Sequence, residues 1–270
     1  MRGLIVLTTV IYLANVQASS IHLARNGLED RSVYDRRSAG TSARERLMKT
    51  LLEDYVKSVK PEPYDGSPLQ VNMTLALLNL DSVDTKERIL ETHSWVAMTW
   101  IDERLSWDPS DFHQVKMLHM PTDSIWIPDI DLFNNDGEAE KPMSDMIADV
   151  NSDGSVIYVP ELHLKSLCKV GQQAQVTEVF RIARLLGFSE MVCKLKFGSW
   201  TYDATEMNLV TTSSQVDLSD FRRVPTDEFQ VKSTSAKAEH ETFKCCPNPY
   251  KIATFTIVVS NNPKYHVNTK

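Results

Sequence analysis

From residue 69 onward the apolar residues of this chain recur at every second position, a period that suits a strand with one face in a core. Val71, Met73, Leu75 and Leu77 alternate with Asn72, Thr74 and Ala76. At the far end Ala253, Phe255, Ile257 and Val259 alternate with Thr254, Thr256 and Val258. Between them lie short β-rich runs at 92–101, 114–119, 155–159, 192–199 and 207–216, broken by Pro, Asp-Gly and Asn-Asp. One earlier segment keeps a different period. Leu47, Leu51 and Tyr55 repeat at i, i+4 and i+8 with Leu52 and Val56 alongside, which predicts a helix over 42–58. Thr41 or Ser42 would cap it, and Pro61 and Pro63 end it. The pattern predicts an all-β fold with one N-terminal α-helix, a β-sandwich of about ten strands.

Residues 1–18 read as a secretory signal. Arg2 supplies a basic start, residues 4–14 an apolar core, and Val16-Gln17-Ala18 a small-residue cleavage site. Residues 19–40 are polar and irregular, a flexible lead-in, and residues 261–270 form a C-terminal tail. The longest later apolar candidate, Ile252–Pro263, is well short of the ~20 residues a spanning helix needs, so the expectation is a soluble, secreted, extracellular chain with no membrane contact. Asn72-Met73-Thr74 is a candidate N-glycosylation acceptor on that route. The net charge of −7 becomes −8 once Arg2 is removed with the signal. Such an acidic chain lacks the basic face of a nucleic-acid binder.

Enzyme signatures are missing: no Gly-x-Ser-x-Gly, no His-Glu-x-x-His, no phosphate loop and no Gly-x-Gly-x-x-Gly. Asp149-Val-Asn151-Ser-Asp153-Gly154 matches the first half of a calcium loop, but Pro160 stands where the closing Glu is required. A hairpin turn at Asp153-Gly154 explains the same residues. We therefore expect no catalytic residue, metal or cofactor.

Four cysteines in a secreted chain permit three pairings. One joins Cys168 to Cys193 and Cys245 to Cys246; the other two tie the adjacent pair to distant sites. A bond between neighbours closes a minimal loop and removes little unfolded-chain entropy. Its use would be to stiffen a loop tip that touches something, and Pro247-Asn248-Pro249-Tyr250 continues that tip. Tryptophans gather in the same kind of segment: Trp95, Trp100 and Trp107 within fourteen residues, Trp126 in IWIPDIDLFNND, and Trp200 in KFGSWTYD.

Four motifs in order then carry a resemblance. They are Trp95-x4-Trp100-Ile-Asp-x-x-Leu-x-Trp107-x-Pro109, Trp126-Ile-Pro128-Asp129-Ile-x-Leu-Phe-Asn134-Asn135, Cys193-Lys-Leu-Lys-Phe-Gly198-Ser-Trp200-Thr-Tyr-Asp203 and Phe243-Lys-Cys245-Cys246-Pro-x-Pro-Tyr250. With them, residues 41–260 resemble the ligand-binding domain of the Cys-loop (nicotinic-type) receptors, and within that family the soluble acetylcholine-binding proteins.

The resemblance implies an N-terminal helix followed by a ten-stranded immunoglobulin-like β-sandwich, with Cys168–Cys193 as a staple and Cys245–Cys246 as a binding tip. It implies rings of five copies, with the ligand between neighbours. On the principal face it places Phe133, Trp200, Phe243, Tyr250, Cys245 and Cys246. On the complementary face it places Trp95, Ile157, Val159 and, at its edge, Asp149. Aromatic faces attract a desolvated quaternary ammonium by ~2 kcal/mol or more. The implied partners are thus acetylcholine and nicotine-like amines, bound by a homopentamer. Two positions depart from the family: Phe133 and Phe243 stand where Tyr is usual, so each lacks a hydrogen bond worth about 0.5–1.5 kcal/mol.

The segment between Cys168 and Cys193 is also longer than in relatives and lacks their Phe-Pro-Phe-Asp core. Within it, Val176, Val179, Phe180, Ala183 and Leu186 have helical spacing. A loop with no channel to gate is free to diverge, which favours a soluble binding protein. The alternative is the extracellular domain of a nicotinic-type channel subunit, since the chain closes in VVSNNPKYHVNTK where a receptor enters its first membrane helix. A sugar-binding sandwich would share the fold type but leaves Cys245-Cys246 without a role.

Overall fold

A computed structural model describes residues 42–136, 146–170, 190–222 and 228–262. The predicted signal and lead-in, residues 263–270 of the predicted C-terminal tail, and the helical spacing over Val176–Leu186 lie outside the described residues. The chain divides into two compact units, Met1–Leu47 and Met48–Lys270.

Helix α1 runs Ala43–Leu52, and Ser42 is its cap, with the Glu45 amide donating to the Ser42 hydroxyl at 3.2 Å. Leu47 is fully buried. The helix stops six residues before the predicted end at 58. Tyr55 is drawn elsewhere: its hydroxyl donates to the Asp102 carboxylate at 2.7 Å and accepts the Trp126 amide at 3.0 Å. Tertiary bonding thus overrides a helical period that would have carried Tyr55 and Val56 one turn further.

Eleven strands follow among the described residues: β1 (Leu69–Asp84), β2 (Ile89–Ile101), β3 (Met117–Pro121), β4 (Ile130–Leu132), β5 (Ile147–Asn151), β6 (Ser155–Tyr158), β7 (Glu161–Val170), β8 (Glu190–Ser199), β9 (Met207–Thr211), β10 (Phe229–Glu241) and β11 (Tyr250–Asn261). The hydrogen-bonded path is β10-β11-β8-β7-β2-β6-β5-β3, with β1 added to β2, β9 to β1 and β4 to β8. All these pairings are antiparallel except β1 with β9.

β7 belongs to both layers of the sandwich. Its residues Glu161–Leu167 pair with β2, and from Cys168 onward it pairs with β8. Cys168 and Cys193 face each other as the first rung of the second pairing, with Cα atoms 4.2 Å apart, and they form a disulfide. The bond therefore locks the point at which one strand leaves one sheet for the other.

Burial follows the period-two reading. Val71, Met73, Leu75 and Leu77 of β1 are fully buried, as are Leu195 of β8 and Ile257 of β11, and Phe197 packs edge-on against Phe255 with centroids 6.0 Å apart. Trp100 and Trp126 are core residues, meeting at 85° with centroids 5.8 Å apart. β10 has no such signature, because only Ala236 among its residues is buried.

One buried carboxylate ties the loops to this frame. Asp102 lies just after β2 with its side chain 1% exposed. Arg104 reaches it twice at 2.8 Å, and the same guanidinium lies 4.4 Å over the Tyr55 ring. Burial pushes the Tyr55 hydroxyl well above the usual phenol range, so it remains a neutral donor to Asp102. The Asp102 amide donates to the Gly154 carbonyl at 2.8 Å, in the Asp153-Gly154 turn that joins β5 to β6. Gly154 has φ +83°, and a Cβ there would sit 2.7 Å from the Asp102 carbonyl oxygen. The acidic run at 149–154 is thus a hairpin held by backbone, with Asp153 capping the Ser155 amide at 2.9 Å. Asp102→Ala should leave Arg104 and Tyr55 without their buried partner and cost about 3–5 kcal/mol, read as a lowered urea midpoint at unchanged slope.

Candidate functional site

Two strand ends and one loop assemble the aromatic group. β4 is only three residues long, and Asn134 extends it: its side chain donates to the Lys194 carbonyl at 2.6 Å and accepts the Lys196 amide at 2.9 Å. Phe133, whose amide donates to the Lys196 carbonyl at 2.8 Å, is thereby pinned across β8. Its ring lies directly over Gly198, where a Cβ would come within 2.9 Å of Phe133 Cζ and 2.6 Å of Ile252 Cδ1. Any other residue at 198 would push the ring away from the sheet.

Trp200 follows β8 in a turn governed by Asp129. Ser199 donates its hydroxyl to Asp129 Oδ1 at 2.6 Å, the Thr201 amide donates to Oδ2 at 2.8 Å, and the Tyr202 amide donates to the Ser199 hydroxyl at 2.8 Å. These bonds fix the backbone on both sides of Trp200 while its side chain projects outward, leaving the residue 77% exposed.

The loop between β10 and β11 supplies the rest. The Cys246 amide donates to the Phe243 carbonyl at 3.2 Å, and Cys245 and Cys246 are bonded to each other at the tip. The rings form an unbroken edge-to-face run: Trp200 to Phe133 at 5.9 Å, Phe133 to Phe243 at 6.0 Å, and Phe243 to Tyr250 at 5.7 Å between centroids. The Tyr250 hydroxyl approaches Cys246 Sγ at 3.9 Å. The base of the loop is braced by Lys196, whose ammonium meets both Glu241 carboxylate oxygens at 3.0 and 2.8 Å.

A second tie joins the loop tip to the Trp200 turn. Asn248 donates to Asp203 Oδ2 at 2.8 Å, and the Ala204 amide donates to the Pro249 carbonyl at 2.9 Å. The Thr205 hydroxyl and the Asn248 amide hold the Asp203 carboxyl below the usual carboxylate range.

The sequence motifs contained Asp129, Asn134, Gly198, Ser199 and Asp203 without assigning them a task. Their spacing carries a weak signal, because Asp and Ser beside turns are common and their distant partners lie 45 to 72 residues away.

The other four sequence-predicted residues sit apart from this run, on the outer face of the other layer. Trp95, on β2, is 38% exposed, and Val159, just past β6, is 41% exposed. Ile157 stands opposite Thr99 on one side and Asp149 on the other, and Asp149 stands opposite His119. His119 Nδ1 and Asp149 Oδ1 are 2.5 Å apart. Among the described residues no hydrogen bond or ring contact links this face to the Trp200 run. One chain therefore carries two separate surfaces, each with an exposed tryptophan.

Residues 44–263 match the family model described as the neurotransmitter-gated ion-channel ligand binding domain. The chain is similar to neuronal acetylcholine receptor subunit alpha-5 of Bos taurus, 31% identical over 243 residues, covering 90% of this chain and 46% of that subunit. It is likewise similar to subunit alpha-6 of Rattus norvegicus, 31% identical over 232 residues (85% and 44%), and to subunit alpha-2 of Homo sapiens, 32% identical over 227 residues (84% and 40%). The chain thus spans less than half the length of these relatives. Among the described residues no helix is long and apolar enough to cross a membrane.

Asp203→Ala should release the loop tip, seen as faster amide hydrogen exchange over residues 244–250 with the sheets unchanged. Because the folded carboxyl is depressed, the tie should hold above the ordinary carboxylate range and fail only as pH falls through that lowered value. Exchange that is already fast in the unmodified chain at neutral pH would contradict this.

Proposed function

Because this chain belongs to the neurotransmitter-gated ion-channel ligand-binding domain family, whose members are receptor parts rather than enzymes, we propose that it captures small cationic amines between neighbouring copies. The reading that best suits the residues is a secreted, soluble acetylcholine-binding homopentamer. Phe133, Trp200, Phe243, Tyr250 and the Cys245–Cys246 tip form the principal half of the cage. Trp95, Ile157 and Val159, with Asp149 at the edge, form the complementary half.

One observation carries the reading: four aromatic rings run edge to face beside a disulfide-stiffened tip, and the outermost, Trp200, is mostly exposed. A ring face open to solvent offers its negative potential to a cation, and a second apolar surface closing over it would remove the water that screens that attraction. Rings achieve this without a buried carboxylate, whose desolvation would be costly. Phe133 and Phe243 supply faces but no hydroxyls, so ligands that depend on hydrogen bonds at these positions should lose ground to quaternary amines. The overall negative charge favours approach of a cation within about a Debye length, ~8 Å.

A second reading, the extracellular part of a channel subunit, draws on the relatives, which are receptor subunits of about twice the matched length. A transcript continuing past Lys270 into an apolar helix would decide for it.

Titration calorimetry with acetylcholine and nicotine should detect binding to the purified chain. Trp200→Ala and Trp95→Ala should each weaken it about thirty-fold or more, the equivalent of one ~2 kcal/mol cation–π contact. Mixing the two variants before assembly should restore a fraction of sites, because some interfaces then pair an intact Trp200 with an intact Trp95. No heat with either ligand would refute the cholinergic reading, and no restoration on mixing would refute the shared site.

A further inference from the structure

The sequence holds one Asn-x-Thr acceptor, and its position in the fold gives it a consequence. Asn72 sits in the middle of β1, paired with Thr99 of β2 on one side and Val210 of β9 on the other. Its neighbours Val71 and Met73 are fully buried, so by the alternation of the strand Asn72 projects to the outer face. Its amide oxygen accepts from Gln70 at 2.9 Å, and among the described residues its Nδ2 makes no hydrogen bond. The nitrogen that a glycan would occupy is therefore open, and modification would break nothing inside the sheet.

That outer face is the one bearing the complementary half of the cage. The cross-strand row runs Asn72, Thr99, Ile157, Asp149, His119 through five strands. Ile157 lies two strands from Asn72, about 10 Å, and Trp95 lies four residues along β2 from Thr99, roughly 13 Å. An N-linked glycan is branched, bulky and hydrated, and its first sugars would stand between Asn72 and these residues. A stable protein interface needs roughly 800 Å² per partner packed at the density of a protein interior. A sugar tree rooted within such a patch prevents that packing.

We propose that Asn72 is a modification site whose occupancy gates assembly: a chain glycosylated there cannot offer this face to a second copy. The gate rests on the reading that neighbouring copies meet through this face. Chemically, Asn72 Nδ2 loses one proton and bonds to the anomeric carbon of an oligosaccharide carried on a lipid diphosphate. The carbon–oxygen bond to the diphosphate breaks, the diphosphate leaves with the electron pair, and nothing is oxidised or reduced. Because β1 is a plain extended segment, the acceptor is accessible to the transferring enzyme before the sheet closes around it.

The test is secretion of the full chain from a host that glycosylates, followed by peptide mass mapping and size exclusion with light scattering. Asn72→Gln and Thr74→Ala both remove the acceptor, whereas Thr74→Ser keeps it and controls for the hydroxyl contact of Thr74 with Thr212. The expected result is partial occupancy of Asn72 in the unmodified sequence and in Thr74→Ser, with the glycan confined to the monomer peak and bare chains in the oligomer peak, while Asn72→Gln and Thr74→Ala move wholly to oligomers. Mapping that finds Asn72 bare in the unmodified sequence overturns the site. Glycan-bearing oligomers overturn the gate and leave the interface reading standing. Monomers in every form, glycan or none, overturn the interface reading and the gate with it.

Discussion

Side-chain alternation along β2 is the constraint from which most of this architecture follows. β2 bonds to β1, β6 and β7, so its register fixes three other strands. On its inner face Thr92, Ser94, Val96, Met98 and Trp100 are buried. Its outer face carries His93, Trp95, Ala97, Thr99 and Ile101. A slip of one residue would put Trp95 in the core and Trp100 in water, and would reverse every partner on the neighbouring strands. The indole of Trp100, closed edge-on by Trp126, makes that slip expensive.

Polar contacts then convert a registered sheet into a placed surface. Asp102 takes up the end of β2 and holds Tyr55, Arg104 and the Gly154 turn. Asp129 does the same for the Trp200 turn, and Asn134 for Phe133. In each case a short side chain satisfies backbone or hydroxyl groups that a loop would otherwise leave to water. The Cys168–Cys193 bond acts one level higher. It closes the rung at which β7 changes sheets, so the two layers share a covalent corner as well as a core.

Much of this was legible in the amino-acid order, and for a physical reason. Strands with one buried face must alternate, so β1 and β11 announced themselves, and Asp153-Gly154 could be read as a turn because glycine alone tolerates its φ there. β10 was invisible, since it lies at one end of the strand path and contributes little to the core. The end of α1 is not legible in the local sequence because the force that stops it, the pull on Tyr55, comes from residues 47 and 71 positions away. Among the site residues the rings were recognisable by motif, while the polar residues that aim them were not. Asp129 acquires meaning only once β8 brings Ser199 within reach, and Asp203 only once the loop before β11 brings Asn248 to it.

The exposure of Trp200 also makes the molecule its own optical probe. Of the five tryptophans, Trp100 and Trp126 are buried in the core. Trp200 is 77% exposed and its indole faces solvent, so it dominates the long-wavelength edge of the emission spectrum. Anything that settles over it, whether an amine, a neighbouring copy or the loop tip itself, exchanges water for a drier neighbour and shifts that edge toward the blue. Occupancy of this surface is thus written directly into the intrinsic fluorescence, without a label.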